Sequence, residues 1–134
     1  MKVGILIVTH GQSGEAMLVT LRRMLGVDLT DGISSVDIGV GEDKQHIKER
    51  LAPAIVQADR GAGVVVACDI HGSTPTNCAV EMMHDDAVAV VCGVNLPMLV
   101  KLATAPRDGV PPSSVALAAV DTAVRSIRVE RGRS

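Results

Sequence analysis

Two apolar runs of this chain end in side chains able to do chemistry. The run in "ILIVTHGQSGEA", residues 5–16, stops at His10, and the run in "VVVACDIHGSTPTN", residues 64–77, stops at Asp69. A carboxylate beside an imidazole accepts one ring N–H, fixing the tautomer and leaving the other nitrogen free as a nucleophile. Beyond Asp69, the "GSTP" turn opens a helix, and the backbone N–H groups at such a start favour an anion such as phosphate. The candidates are therefore His10 as nucleophile, Asp69 as its orienting carboxylate, and Thr9, Ser13, Gly72, Ser73 and Thr74 around a phosphate-sized anion site.

Whether these residues meet depends on the elements that carry them. Residues 3–8, 63–68 and 87–92 are short, nearly continuous apolar runs rich in Val, as expected of strands covered on both faces in a parallel sheet. Residues 33–38 mix Ile and Val with Ser and Asp and read as a less buried strand nearer an edge. Helical patterns alternate with them. The first places Ala16, Leu18, Val19, Leu21, Met24 and Leu25 on an apolar stripe with Gly26 as its stop. The second, over about 43–58, turns Ile47, Leu51, Ile55 and Ala58 inward, with Pro53 as a conflict that predicts a kink. The third takes Thr74 as N-cap and Pro75 as first helical residue. Two more are expected over 96–103 and 113–125, and a short last strand over 127–130.

This alternation predicts one α/β domain over residues 1–134, an open, mainly parallel sheet of four to five strands in flavodoxin-like order 2-1-3-4 with helices on both faces. Ligands of such sheets bind beyond the carboxyl ends of the strands, where the strand order reverses. In the order 2-1-3-4 that crevice lies between strands one and three, so His10 and Asp69 come from neighbouring strands about 5 Å apart. Taken singly, a strand-end histidine is commonly structural and Asp69 fits an Asx-turn equally well. The pairing, the turn and the switch point together favour the nucleophile.

Composition narrows the alternatives. The chain has no Phe, Tyr or Trp and a formal charge of -2, so it offers neither base-stacking rings nor a basic phosphate-binding face, and no nucleic-acid partner is expected. The basic tail "RSIRVERGRS" reads as a solvated terminus. The three cysteines show no C-x-x-C spacing and suggest buried cytosolic thiols. No apolar run approaches the roughly 18 residues of a membrane span, and no signal-peptide layout opens the chain. A soluble, cytoplasmic protein without membrane insertion is expected. Walker, dinucleotide and nucleophile-elbow motifs are all missing, so a phosphoryl group on His10 would come from another phosphoprotein. His46 and His84 read as solvent-facing and His71 as a loop residue. A metal site on His10, Asp69 and His71 has suitable ligand types but no H-x-x-x-H or Cys partner.

Three segments together resemble the IIA domain of the mannose-type sugar phosphotransferase system: "GILIVTHGQSGEAM" is similar to its phosphohistidine segment, "VVACDIHGSTPTNCA" to its D-x-x-G-[GS]-[ST]-P-x-N loop, and "VVCGVNLPMLVKL" to its G-x-N-L-P-M segment. Order and spacing agree over residues 3 to about 124. The resemblance implies a phosphotransferase relay in which His10 accepts a phosphoryl group from the phosphocarrier HPr and passes it to a histidine of a IIB partner, with no metal or organic cofactor. Asp69 matches the family's histidine-supporting aspartate and Thr74 its phosphate-proximal hydroxyl. Members commonly dimerise, some exchanging a C-terminal strand, a part that residues 127–130 could fill. His71 departs from the aromatic or apolar residue usual in that loop, and a stand-alone IIA protein, without the Ala/Pro-rich linker and fused IIB domain of some members, is expected. The same His10 would serve a regulatory phosphoprotein of the relay uncoupled from transport. The phosphocarrier of dihydroxyacetone kinases fits "DIHGSTPTN" and "GVNLPM" less well. A tetrapyrrole metal chelatase shares the His-Gly-Ser start but needs a late second histidine, and none follows His84.

Overall fold

The structure, a computed structural model, describes residues 1–133. Strands β1 (Gly4–His10), β2 (Ile33–Ile38), β3 (Val64–Cys68) and β4 (Val88–Cys92) alternate with helices α1 (Ser13–Leu25), α2 (Lys44–Ala58), α3 (Thr74–Glu81), α4 (Leu96–Thr104) and α5 (Pro112–Arg125). All strand pairings are parallel and the order is β2-β1-β3-β4. The sequence-based order is thus correct, with four strands.

Because side chains alternate along a strand, each buried strand feeds two cores. On one face Ile5, Ile7, Val65 and Ala67 pack with Leu18 and Leu21 of α1, with Met98, Leu99 and Leu102 of α4 and with Val115 and Ala119 of α5. On the other, Leu6, Val8, Val64, Val66 and Cys68 pack with Ile47, Leu51 and Ile55 of α2 and with Cys78 and Ala79 of α3. Each fully buried Val, Ile or Leu contributes about 1.5–3 kcal/mol relative to exposure. These aliphatic layers form the core without aromatic residues.

Several local expectations are corrected. The segment 127–130 forms no strand: Ile127 and Val129 are 75% and 94% exposed, with no sheet edge accepting their backbone. Strand β1 continues past Val8 because Thr9 and His10 keep pairing with Asp37 and Ile38 of β2. Helix α2 runs without interruption through Pro53, which lies on its exposed face. Val19 and Met24 are 44% and 58% exposed; α1 presents Leu18, Leu21, Met17 and Leu25 to the sheet instead. The N-cap of α3 is Ser73, with Thr74 already helical.

At the amino ends of the strands, remote from His10, buried Arg107 donates to Val3 O at 3.0 Å and to Asp31 O at 3.2 Å. It ties the loop before α5 to β1 and to the start of β2. No sequence pattern marked this residue.

Candidate functional site

Alternation along β1 places Leu6, Val8 and His10 on the α2–α3 face and Ile5, Ile7 and Thr9 on the α1 face. Leu6 and Val8 are sealed in the core, while His10, one residue pair further, reaches the rim with its side chain 31% exposed. Gly11 follows at φ +61°, a left-handed conformation that turns the chain off the sheet toward α1. On the adjacent strand, β3 ends at Cys68, so Asp69 is the first residue of the β3–α3 loop.

The two meet. Asp69 Oδ2 lies 3.0 Å and Oδ1 3.2 Å from His10 Nδ1, and Oδ2 accepts the His10 backbone N–H at 2.8 Å. Oδ1 also accepts the Ile70 N–H at 2.9 Å. An ionised carboxylate only accepts, so Nδ1 of His10 carries a proton and Nε2 is the ring nitrogen left for chemistry. Partial burial pushes the Asp69 carboxyl up, but the His10 N–H, the His10 ring and the Ile70 N–H outweigh it and hold the group below the ordinary aspartate value.

That depression makes a prediction for stability. A carboxyl whose folded pKa lies below its unfolded one contributes stability that is fully present above the unfolded value, about 3.9, and is lost as pH falls through the folded value. Asp69→Asn is therefore expected to melt below the wild type at neutral pH, with the gap narrowing as pH falls below about 4. Calorimetry over a pH series checks this; a gap that stays constant into acid would contradict the pairing.

Two helix starts flank the pair. Neither the N-cap Gln12 of α1 nor Ser73 of α3 makes a side-chain capping bond; in α1 the Gly14 N–H is taken by Thr9, and the remaining first-turn N–H groups of the two helices favour an anion. Thr74 lies exposed in the first turn of α3, and Gly72, at φ +77°, turns the chain into it. Ser13 Oγ donates to His10 O at 2.9 Å, and Ser73 Oγ donates to Ile70 O at 2.8 Å, so both hydroxyls shape the loops on which the site rests. Thr9 sits elsewhere. It is fully buried on the α1 face, where its Oγ1 accepts the Gly14 N–H at 2.6 Å and anchors the start of α1 under the site. A Cβ at Gly14 would meet that same Oγ1 at 2.6 Å, so the close approach requires glycine.

His71 is exposed and makes no hydrogen bond or ion pair with Asp69 among the described residues. His46 pairs with Glu42 at 2.7 Å and His84 is exposed, and neither bonds to His10 or Asp69 among the described residues. No three His, Cys, Asp or Glu residues cluster as metal ligands among the described residues. Sequence reasoning missed Thr76, which is buried beneath the β3–α3 loop. Its one visible signal was position, a β-branched hydroxyl residue in the first turn of α3.

The model of the family described as "PTS system fructose IIA component" (EIIA-man) matches residues 4–115. Two curated relatives, both named PTS system mannose-specific EIIAB component, come from Escherichia coli K12 and Shigella flexneri. Each is 28% identical over 134 residues, an overlap covering 99% of this chain and 41% of the relative. The chain thus spans less than half the length of these relatives. Among solved structures, a mannose/sorbose specific IIA subunit from Enterococcus faecalis superposes with a TM-score of 0.87 at 22% identity, covering 100% of this chain and 98% of its own. A PTS IIA protein associated with the fucose utilization operon of Streptococcus pneumoniae gives 0.81 at 24% identity, covering 96% and 93%. These likenesses establish the fold. No helix among the described residues is long and apolar enough to cross a membrane.

Proposed function

The chain belongs to the EIIA-man family of phosphotransferase-system IIA components, and from that premise we propose that it is a phosphocarrier whose His10 takes a phosphoryl group from HPr and gives it to a histidine of a IIB partner. The observation that carries the reading is the Asp69 carboxylate on Nδ1 of His10, 3.0 Å away, with Nε2 left free and the first turns of α1 and α3 following these two strand ends.

In this reading Nε2 attacks the phosphorus of the donor phosphohistidine. The N–P bond to the donor breaks as the new N–P bond to His10 forms, and the donor imidazole leaves with the electron pair of the broken bond. Asp69 holds the Nδ1–H and stabilises the positive charge that grows on the ring. The phosphoryl oxygens face the open N–H groups of α1 and α3 and the Thr74 hydroxyl, which balance their charge. Donor and product are both phosphohistidines, so the domain mainly orients and screens. The second transfer reverses these roles toward IIB. Residues 1–134 act in this reading as one IIA domain in the cytoplasm, without a cofactor, and pair as a homodimer.

Incubation with phosphoenolpyruvate, enzyme I and HPr, followed by intact mass measurement, tests the proposal. A single acid-labile gain of one phosphoryl group is expected. No gain under conditions that fully phosphorylate HPr would overturn it, as would His10-dependent insertion of cobalt or nickel into a tetrapyrrole.

A further inference from the structure

The described residues bury four polar or charged side chains: Thr9, Thr30, Thr76 and Arg107. Thr30 and Arg107 serve the loops at the amino ends of the strands, and Thr9 holds the start of α1. Thr76 occupies a different position. It is 2% exposed on the third residue of α3, and its Oγ1 donates to Ile70 O at 2.7 Å and lies 3.0 Å from Ser73 Oγ. The Ile70 carbonyl also accepts the Ser73 N–H at 3.3 Å and the Ser73 hydroxyl at 2.8 Å.

Ile70 is thereby gripped at both ends. Its N–H holds Asp69 Oδ1 and its carbonyl is held by Thr76 and Ser73. Of those two side chains Thr76 is the more deeply buried, and a buried hydroxyl bond is less easily exchanged for water than one at the rim. The Thr76 hydroxyl is therefore the buried one of three donors that fix the first turn of α3, where the phosphoryl oxygens would sit, against the loop that aims Asp69 at His10. Ile70 itself is 56% exposed, so its side chain does not fix the loop by burial.

We infer that Thr76 is a positioning residue for phosphoryl transfer at His10, acting through Ile70 to keep Asp69 on Nδ1 and the α3 start in register with Nε2. The inference rests on the phosphocarrier reading for its kinetic consequence, but the placement of Asp69 can be read without any transfer. Thr76→Val removes the hydroxyl while keeping the β-branched volume of the buried site. Thr76→Ser keeps the hydroxyl and removes the methyl.

Phosphorylation of the full chain by phosphorylated HPr, measured at several HPr concentrations, should show kcat for Thr76→Val lowered about tenfold with KM unchanged, since misorientation penalises chemistry and spares docking. Thr76→Ser should stay within about twofold of the wild type. In parallel, the ring-nitrogen NMR signals of His10, recorded with the ring neutral, should show the Nδ1–H tautomer in the wild type and Thr76→Ser, and a mixture of tautomers in Thr76→Val. Wild-type transfer by Thr76→Val, equal slowing in both variants, or an unmixed tautomer in Thr76→Val would each overturn the assignment. If the wild type itself takes up no phosphoryl group, the phosphocarrier reading fails and the tautomer comparison alone decides the role of Thr76.

Discussion

His10→Ala is expected to take up no phosphoryl group from phosphorylated HPr while remaining folded. The loss should be complete because no other histidine is built as a nucleophile: among the described residues His71 and His84 are exposed without an orienting carboxylate, and His46, paired with Glu42, sits in the first turn of α2, where Asp43 already caps the His46 N–H. The fold should survive because the side chain stands at the rim, and because Asp69 keeps both of its backbone donors, the N–H groups of residue 10 and of Ile70, when the ring is gone. What is lost is a partly exposed imidazole–carboxylate hydrogen bond, a cost of about 1 kcal/mol. Intact mass after incubation with the donor system reads the first part and urea denaturation the second. Stoichiometric, acid-labile labelling of a folded His10→Ala would remove His10 from the mechanism.

The path from sequence to this site was partly legible. Valine-rich runs gave β1, β3 and β4 because parallel strands covered on both faces need apolar side chains on both. The strand order then brought His10 to Asp69 by topology, with no contact information required. Thr9 was legible too, since strict alternation from Ile5 and Ile7 assigns it to the face opposite His10. Grouping it with the anion site followed chain proximity instead of pleat. The rotational phase of α1 was harder to read. Leu18 and Leu21 point to the sheet while Val19 and Met24 do not, and composition cannot tell an inward from an outward aliphatic when both recur at helical spacing. The segment 127–130 has strand-like alternation, but a strand exists only where an edge takes its hydrogen bonds, and that depends on neighbours the segment does not encode. Thr76 escaped for a related reason. Its importance lies in a carbonyl six residues earlier, brought back by the tight turn around Gly72.

The largest effect on stability is expected far from the chemistry, at Gly4. This first residue of β1 pairs with Val64, donates its N–H to Gly63 O at 2.9 Å, and lies under the last turn of α2. A Cβ built there would overlap the Ala58 carbonyl oxygen and come within 2.8 Å of the carbonyl carbon. Both are backbone atoms, so no rotamer change relieves the contact; either β1 shifts between the two strands it pairs with or the end of α2 lifts away. Lifting α2 would loosen Ala58 and Ile55 from Leu6 and Val64, which they help to bury. Gly4→Ala is therefore expected to cost about 3 kcal/mol, the upper part of the range for overpacking a rigid core. Gly39→Ala is the matched control. It adds the same methyl in the β2–α2 loop, where a Cβ meets nothing within 4 Å and the backbone does not require glycine; about 0.5 kcal/mol or less is expected. Urea midpoints at constant m measure both. Equal midpoints for the two variants would mean that α2 does not approach β1 as closely as the backbone of Gly4 allows.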